Sequence, residues 1–282
     1  MAEAALAYFF YGLFRVMPLD MASATAGKLL RAVGPRMGIS RVAYRNLDLA
    51  FPEKSRDEKK KIVTGMWENL GRVLGEYPHL RRMKDRIEVI GGEHVDTIRA
   101  SGKSAILFSG HLANWEVNAI AAMGRGLVPS FVYRKPNNPY VDSLLLHARA
   151  SELAQGHIEK GAGGARAIRN VFKNNGVLAL LVDQKLNEGL PIPFFGHDAM
   201  TAPAIAHFAL RFHLPIYPSQ VERLNGAYFR ITMGAPLMAV STGDLEADTR
   251  RILTDMNHTL EDWIRARPEQ WLWIHKRWPQ SK

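Results

Sequence analysis

From residue 100 onward, the sequence alternates short apolar runs with segments of helical periodicity, and this alternation constrains the fold more than any other feature. Five apolar or β-branched runs predict strands. They are SAILFS (104–109), LVPSFVY (127–133), VLALLV (177–182), LPIYPSQV (214–221) and AYFRITM (227–233). The segments 114–125, 139–154, 163–174 and 201–213 between them read as helices. Such a pattern predicts an α/β fold with a mostly parallel central sheet flanked by helices.

Two ionisable residues, His111 and Glu116, follow the first predicted strand in the stretch GHLANWE. Sites in α/β folds gather at the carboxyl ends of strands. Residues five apart on a helix lie about 140° apart around its axis, so we expect His111 in the turn and Glu116 in the first helical turn. Glu116 then accepts a hydrogen bond from one imidazole nitrogen and leaves the other as a base. The alternative is a helix-capping histidine beside a solvated glutamate.

No protein nucleophile accompanies this histidine, because Ser109 lacks the G-x-S-x-G turn that exposes a catalytic serine. The sequence therefore predicts that His111 deprotonates a hydroxyl group of the substrate. The proposed oxyanion donors are backbone N–H groups of the turn from Gly110 to Asn114.

Polar residues also follow two other predicted strands. Arg134 and Lys135 precede a proline-rich turn, and Asp183 and Gln184 end the run LLVDQ. An arginine fork suits phosphate oxygens, although two ordinary surface cations are the simpler interpretation. A buried carboxylate needs a partner, and Asp183 is expected to position Arg134.

The N-terminal segment carries an apolar run from Ala4 to Phe14, shorter than the roughly 20 residues of a membrane span. Five basic residues follow between Met21 and Leu47 without an acidic one: Lys28, Arg31, Arg36, Arg41 and Arg45. This pattern favours an N-terminal hydrophobic helix that anchors at an anionic membrane surface. The alternative is a pair of core helices with solvated basic faces. The only charge before the run is Glu3, so no cleaved signal peptide is expected.

The formal net charge of +10 predicts anionic partners: nucleic acid, a membrane surface, phosphorylated substrates or an acidic carrier protein. The tail holds Trp271, Trp273 and Trp278 among basic residues, which suits base stacking or a membrane interface. No nucleic-acid-binding motif accompanies it, so nucleic acid is not expected.

The sequence has no cysteine, which excludes disulfides and thiolate catalysis. No linker divides residues 1–282, and we expect one domain that includes residues 1–50.

Several blocks together resemble the bacterial lipid A late acyltransferases, within the lysophospholipid acyltransferase superfamily. GHLANWE resembles the active-site block of that family. The others, in the family's order, are VYRKPNNP (132–139), IEKGAGGARAI (158–168), LLVDQKLNEGLPIPFFG (180–196), TAPAIA (201–206), LPIYPSQVER (214–223) and RPEQWLWIHKRW (267–278). The first 50 residues resemble the family only in type.

The resemblance implies an acyltransferase that moves a fatty acyl chain from acyl carrier protein to a hydroxyacyl chain of a Kdo-bearing lipid A precursor. It implies His111 and Glu116 as catalytic residues, an acceptor contact by Arg134, a monomer at the cytoplasmic face of the inner membrane, and no metal or cofactor. Further substrate contacts are expected from Lys135, Asp183, Gln184 and Asn114. Phe194 and Phe195 line an acyl-chain groove or belong to the core, and Thr201 is the predicted N-cap of a helix. The alternatives are an acyltransferase for another glycolipid or aminolipid, and a non-catalytic membrane-binding module with the same fold.

Overall fold

The computed structural model describes residues 2–133, 135–149, 157–159 and 162–279. The helices are α1 (Ala2–Val16), α2 (Leu19–Val33), α3 (Ser40–Ala50), α4 (Arg56–Glu76), α5 (Gly92–Ser101), α6 (Val117–Gly124), α7 (Pro139–Arg149), α8 (Ala162–Lys173), α9 (Ala204–Phe212) and α10 (Leu245–Ala266). The strands are β1 (Ile87–Ile90), β2 (Ala105–Ser109), β3 (Ser130–Tyr133), β4 (His157–Glu159), β5 (Val177–Leu181), β6 (Leu190–Phe194), β7 (His197–Thr201), β8 (Pro215–Asn225), β9 (Tyr228–Met233) and β10 (Leu237–Met238).

A central sheet has the strand order β1-β9-β8-β2-β5-β3-β4, with β10 paired to β8. The pairings β8–β2, β2–β5, β5–β3 and β3–β4 are parallel, whereas β8 and β9 form an antiparallel pair. All five predicted strands are present in this sheet, and the prediction of an α/β fold with a mostly parallel sheet is confirmed. The buried strand β2 lies in the middle of the sheet, so its carboxyl end opens where neighbouring loops converge.

Helix α4 begins where the sequence places the charge run of residues 53–61. Ser55 and Glu58 form a capping box, in which each side chain accepts a hydrogen bond from the other residue's backbone N–H. This arrangement satisfies two donors that a helix N-terminus otherwise leaves unpaired. The apolar face of α4, including Val63, Met66 and Val73, is buried against the rest of the protein.

The N-terminal segment forms two helices of 15 residues each, α1 and α2, instead of one long apolar helix. Helix α2 packs closely on α4, because Gly71 and Gly75 lie against the backbone of Ala26 and Ala22, where a Cβ atom would collide. Helix α1 buries Phe14 but leaves Leu6, Phe9, Leu13 and Val16 exposed. In the part of the chain that the structure describes, no helix is both long enough and apolar enough to cross a membrane.

A buried ionic network ties these helices to the sheet. Glu76, at the end of α4, is fully buried and accepts hydrogen bonds from Ser23 of α2 and from Arg223 of β8. Its second oxygen also accepts a bond from the side chain of Asn114, with 2.8 Å between the two atoms. The pairing satisfies a carboxylate that would be costly to bury alone, and it connects α2 and α4 directly to the turn after β2.

The three tail tryptophans are buried, so they are not available to a membrane interface or to nucleic-acid bases, the two surface roles that their composition suited. Trp271, Trp273 and Trp278 expose 0%, 0% and 4% of their surface. Phe194 and Phe195 pack edge-on against each other, and both contact Trp278. Large aromatic side chains gain the most free energy from burial. The basic residues next to them in the tail therefore do not keep the tryptophans at the surface. Of the two alternatives for Phe194 and Phe195, an acyl-chain groove or the core, the structure supports the core.

The segment 190–201 forms a regular hairpin. Strands β6 and β7 pair antiparallel in register from Leu190–Thr201 to Phe194–His197. Thr201 therefore ends a strand, and the residue that precedes α9 is Pro203. The predicted N-cap role of Thr201 is wrong, because its hydroxyl donates to the carbonyl of Ala199 and accepts from Arg277.

Candidate active site

His111 and Asp183 meet because two neighbouring parallel strands end at the same height. The ladder between β2 and β5 ends with the pair Ser109 and Leu181. His111 and Asp183 each lie two residues beyond that pair. The Nδ1 atom of His111 is 2.7 Å from Oδ1 of Asp183, and the backbone N–H of His111 donates to Oδ2 of the same carboxylate over 2.7 Å.

Asp183 is fully buried, and its surroundings hold it in the ionised state. Trp271 donates its indole N–H to Oδ2 of Asp183 over 2.8 Å. Burial acts to raise the pKa of Asp183, but the charge and hydrogen bonds of His111, followed by the charge of His275, outweigh it and hold the pKa well below its usual range. Both carboxylate oxygens are bonded by His111 and Trp271 and the side chain is fully buried, so Asp183 supports the histidine and does not reach a substrate in the cavity. The predicted contact between Asp183 and Arg134 involves a residue outside the described part of the chain.

The tautomer of His111 follows from this pairing. An ionised carboxylate only accepts hydrogen bonds, so Nδ1 carries the proton and Nε2 has a free lone pair. His111 exposes 14% of its side chain. The amide nitrogen of Gln184 lies 3.4 Å from Nε2, and the indole of Trp115 contacts the imidazole edge-on at 5.0 Å between ring centres. The arrangement presents a base to the adjoining cavity.

Glu116 does not orient this histidine, which corrects the sequence-based expectation. Its carboxylate accepts hydrogen bonds from the hydroxyl of Tyr77 over 2.6 Å, from the indole of Trp115 over 3.1 Å and from Nε and Nη2 of the Arg149 guanidinium. Burial acts to raise the pKa of Glu116, whereas the charge and hydrogen bonds of Arg149 lower it, and the lowering prevails. Glu116 is thus an ionised partner of Arg149 at the cavity wall.

The turn from His111 to Glu116 explains why these two residues separate. Ala113 has a left-handed backbone (φ 48°), which costs roughly 1 kcal/mol for a residue other than glycine. Its N–H donates to the carbonyl of Gln270, and the carbonyl of His111 accepts from Leu272. The tail thereby fixes the turn in a shape that directs Glu116 away from the imidazole.

Three backbone donors of this turn and the side chain of its asparagine are already in use. The N–H groups of His111, Leu112 and Ala113 donate to Asp183, Gly110 and Gln270, so they are not the oxyanion donors that the sequence suggested. Asn114 is fully buried, donates to Glu76 and accepts from the backbone N–H of Glu116. Its predicted substrate contact is wrong, since its side chain supports the turn from behind.

Of the two cations predicted at the rim, the structure describes Lys135. Arg134 lies outside the described residues. Lys135 is exposed and its Nζ atom is 3.9 Å from the Asp142 carboxylate, so its ammonium remains accessible to an anionic ligand.

The base opens into a cavity of about 590 Å³. Its walls come mainly from strands β2, β3 and β5 and from helices α6, α8 and α9. His111, Gln184, Glu116 and Arg149 all border it, and most of the remaining wall is apolar. Within the described residues, histidine and carboxylate side chains do not group in threes as they would around a metal ion.

Sequence reasoning missed four residues that shape this site: Tyr77, Arg149, Trp271 and His275. The Nε2 atom of His275 lies 2.9 Å from the carbonyl oxygen of Asp183, which can only accept a hydrogen bond from it, and burial lowers the pKa of His275. The tail motif WLWIH singled out the correct segment, but its aromatic composition suggested a surface role. Tyr77 and Arg149 stand in no motif, and only the packing of α4 and α7 brings them to Glu116.

Comparison with known proteins places these residues in a family. The model of the bacterial lipid A biosynthesis acyltransferases matches residues 2–280. A lipid A biosynthesis acyltransferase of Haemophilus influenzae is 24% identical, over 95% of this chain and 85% of its own length. The lipid A biosynthesis lauroyltransferase of Escherichia coli is 26% identical, over 84% and 78%, and the myristoyltransferase is 25% identical, over 86% and 76%.

Among solved structures, the 1-acyl-sn-glycerophosphate acyltransferase of Thermotoga maritima aligns with a TM-score of 0.42 and 11% identity, over 84% of this chain and 98% of its own. The family assignment comes from the sequence match over nearly the whole chain. This chain is an acyltransferase that belongs to the bacterial lipid A biosynthesis acyltransferase family.

Proposed function

We propose that the protein, working as one acyltransferase domain, transfers a fatty acyl chain from acyl carrier protein to the hydroxyl of a hydroxyacyl chain on a Kdo-bearing lipid A precursor. The observation that carries this proposal is the His111–Asp183 pair, whose free Nε2 atom faces an apolar cavity. A base beside an apolar cavity suits a reaction in which a hydroxyl attacks a fatty acyl thioester. The net charge of +10 favours the approach of both an acidic carrier protein and an anionic glycolipid.

In the proposed mechanism, Nε2 of His111 takes the proton of the acceptor hydroxyl while the oxygen bonds to the thioester carbonyl carbon. The carbon–sulfur bond then breaks, and the imidazolium returns its proton to the departing thiolate. Asp183 holds the ring in the required tautomer and stabilises its cation. Gln184 stands next to the reacting atoms and donates its amide hydrogen to the substrate.

In this proposal Glu116 acts on the substrate only through Arg149. It holds Arg149 at the cavity wall, with Tyr77 fixing the other side of its carboxylate. The guanidinium, together with Arg134 and Lys135, binds anionic groups of the acceptor. Glu116 is then a positioning residue for a substrate-binding arginine.

The test of the proposed function is the variant His111→Ala, assayed for acyl transfer to a Kdo-bearing lipid A precursor with acyl carrier protein as donor. Turnover should fall by roughly 10²- to 10⁴-fold, which is the usual effect of losing a general base. The matched control is His197→Ala, because His197 is exposed on the hairpin away from the cavity. Asn118→Ala would not serve, since Asn118 borders the same cavity as His111. Near-normal transfer by His111→Ala, or an acyl group trapped on Ser109, would overturn the mechanism.

The proposed location is the cytoplasmic face of the inner membrane, with the protein as a monomer held by α1. Leu6, Phe9, Leu13 and Val16 follow one another at intervals of three or four residues, so they share one face of the helix. An exposed apolar helix face beside basic sequence is typical of proteins that lie in the membrane interface.

Replacing Leu6, Phe9 and Leu13 together by serine should reduce binding to anionic phospholipid vesicles by roughly tenfold or more, because each side chain loses the gain from burial in lipid. The matched control replaces three exposed apolar residues elsewhere, Met238, Val240 and Leu245. Vesicle co-sedimentation measures the effect. If both triple variants lost the same amount of vesicle binding, α1 would not be the anchor.

A further inference from the structure

The cavity at His111 passes through the central sheet. In β2, β3 and β5, consecutive residues line it: Leu107 and Phe108, Phe131 and Val132, Ala179 and Leu180. Side chains of consecutive strand residues point to opposite faces of a sheet. The cavity therefore has walls on both faces, and it must cross from one to the other.

A split between β3 and β5 provides the crossing. The ladder between these strands pairs Ser130 with Leu178 and Phe131 with Ala179. Beyond that point, β3 continues beside β4 to the pair Tyr133 and Glu159, while β5 continues beside β2 to the pair Leu181 and Ser109. Residues on both sides of the split, including Tyr133 and Leu181, border the cavity.

The cavity has one half on each face of the sheet. The half that we call the α6 lobe lies under α5 and α6, and the half that we call the α9 lobe lies under α8, α9 and α10. The α6 lobe is lined by Val95, Leu107, Ala119, Ala122, Ala179 and Met233. The α9 lobe is lined by Val132, Ile168, Leu180, Ile205, Phe208 and Met256.

The lobes differ in polarity close to His111. Ser109, Asn118 and Ser219 form a hydrogen-bonded chain in the wall of the α6 lobe: Asn118 donates to the Ser109 hydroxyl over 3.2 Å and accepts from Ser219 over 2.7 Å. Ser109 points to the same face as Leu107, two residues before it. The α6 lobe is thus polar beside the base and apolar further in.

The α9 lobe has no comparable polar entrance among the described residues. Its polar members, Thr201 and Asn257, have their hydrogen bonds satisfied by Arg277 and by the carbonyls of Ala199 and Pro193. Thr201 and Asn257 each have a donor and an acceptor engaged within the core. The Ser109 hydroxyl of the α6 lobe, among the described residues, only accepts a bond from Asn118 and keeps its own O–H for a ligand. The α9 lobe therefore presents a hydrocarbon surface.

We propose that each lobe holds one hydrocarbon chain, with the transferred acyl chain in the α9 lobe and the acceptor's own hydroxyacyl chain in the α6 lobe. This inference rests on the proposed function. The carbon that carries the attacking hydroxyl also carries the rest of its chain, so a hydroxyl at Nε2 of His111 brings a second apolar tail into the site. Such a chain is polar near the hydroxyl and apolar beyond it, which matches the order of residues in the α6 lobe. The donor chain is pure hydrocarbon beyond its thioester.

The test narrows one lobe at a time. Ala122→Leu fills the α6 lobe, Ile205→Phe fills the α9 lobe, and Ala247→Leu on the exposed face of α10 is the control. Transfer rates are measured with short, medium and long acyl donors and with acceptors whose hydroxyacyl tails are full-length or truncated. Ala122→Leu should raise the KM for the full-length acceptor by roughly tenfold and lose this defect with the truncated acceptor. Ile205→Phe should shift the preferred donor to a shorter chain.

Three results would overturn the assignment: a shorter donor preference in Ala122→Leu, an unchanged donor preference in Ile205→Phe, or a KM defect in Ala122→Leu that the truncated acceptor does not relieve.

A binding measurement separates this inference from the proposed function. A 3-hydroxy fatty acid with a photoreactive group at its chain end should label α6 in wild-type protein, whereas an unsubstituted fatty acid with the same group should label α9. If the wild-type protein transferred nothing to a lipid A precursor, the proposed function would fail, and the labelling would still show whether the lobes distinguish the two chains. Identical labelling by both probes would reject the two-lobe assignment.

Discussion

Asp183 and Glu116 are both buried carboxylates near the same cavity, yet they stand in opposite relations to the candidate base. Asp183 is 72 residues from His111 in the chain and its Oδ1 lies 2.7 Å from the imidazole. Glu116 is five residues away, and its carboxylate is shared by Tyr77, Trp115 and Arg149. Strand pairing brings the distant residue to the histidine, whereas the turn at Ala113 takes the near one away. A short motif therefore identifies a site without revealing which of its members touch.

The largest effect is expected from Asp183→Asn. The N–H groups of His111 and Trp271 favour the amide oxygen at the Oδ2 position, which turns the NH₂ group toward Nδ1. The amide then donates to Nδ1 and favours the tautomer that is protonated on Nε2, and it no longer balances the imidazolium charge. We expect kcat to fall by about 10³- to 10⁴-fold, as measured by acyl transfer with saturating donor and acceptor. Asp198→Asn, an exposed carboxylate on the hairpin, is the matched control. If Asp183→Asn kept most of its turnover, Asp183 would be a structural residue only.

A smaller effect is expected from Glu116→Gln. Loss of the charge leaves Arg149 less well held, so acceptor binding weakens and kcat/KM should fall by roughly 10- to 100-fold. The acidic limb of the pH–rate profile should stay where it is in the wild type, because Glu116 makes no contact with the base. Turnover measured against pH decides the matter. A displaced acidic limb would mean that Glu116 acts on His111 in the working enzyme, contrary to the contrast drawn above.

The smallest effect concerns acid stability. The pKa of Asp183 is depressed below its ordinary value of 3.8 in the folded protein, so the folded state binds fewer protons than the unfolded state at acidic pH. Its contribution is fully present above that value and is lost as the pH falls through the folded-state pKa. We expect the free energy of unfolding to decline as the pH falls from about 4 toward the folded-state pKa, and to decline less steeply in Asp183→Asn. The change is on the order of 1 to 2 kcal/mol, measured by urea unfolding at each pH. Parallel curves for the two proteins would show that the pKa is not depressed.

Most of the sheet could be predicted from the sequence, because runs such as VLALLV carry their own signal of burial and β-branching. Strand order could not, since nothing local in β2 or β5 states that they are neighbours. That missing step is the reason why Asp183 was paired with Arg134 in the prediction and not with His111. Once β2 and β5 are known to be adjacent and in register, the contact follows from counting two residues beyond Ser109 and Leu181.

The surface role expected for the tail was wrong for a different reason. Trp271 and its neighbours have a composition that suits either a surface or a core, and only their packing against Phe194 and Phe195 decides between the two. Tyr77 and Arg149 carried no sequence signal at all, because their role depends on where α4 and α7 end.

The network around Glu76 has a consequence for anyone who wishes to redesign this enzyme. Ser23, Glu76, Arg223 and Asn114 share hydrogen bonds from α2 to the turn that carries His111. The first helices are thus not an exchangeable tag, and a chimera that took α1 and α2 from another protein would bring a foreign partner to Glu76. An exchange of α2 alone removes the Ser23 hydroxyl and leaves Glu76 paired with Arg223 and Asn114, whereas an exchange that runs through the end of α4 must itself present an acid to Arg223.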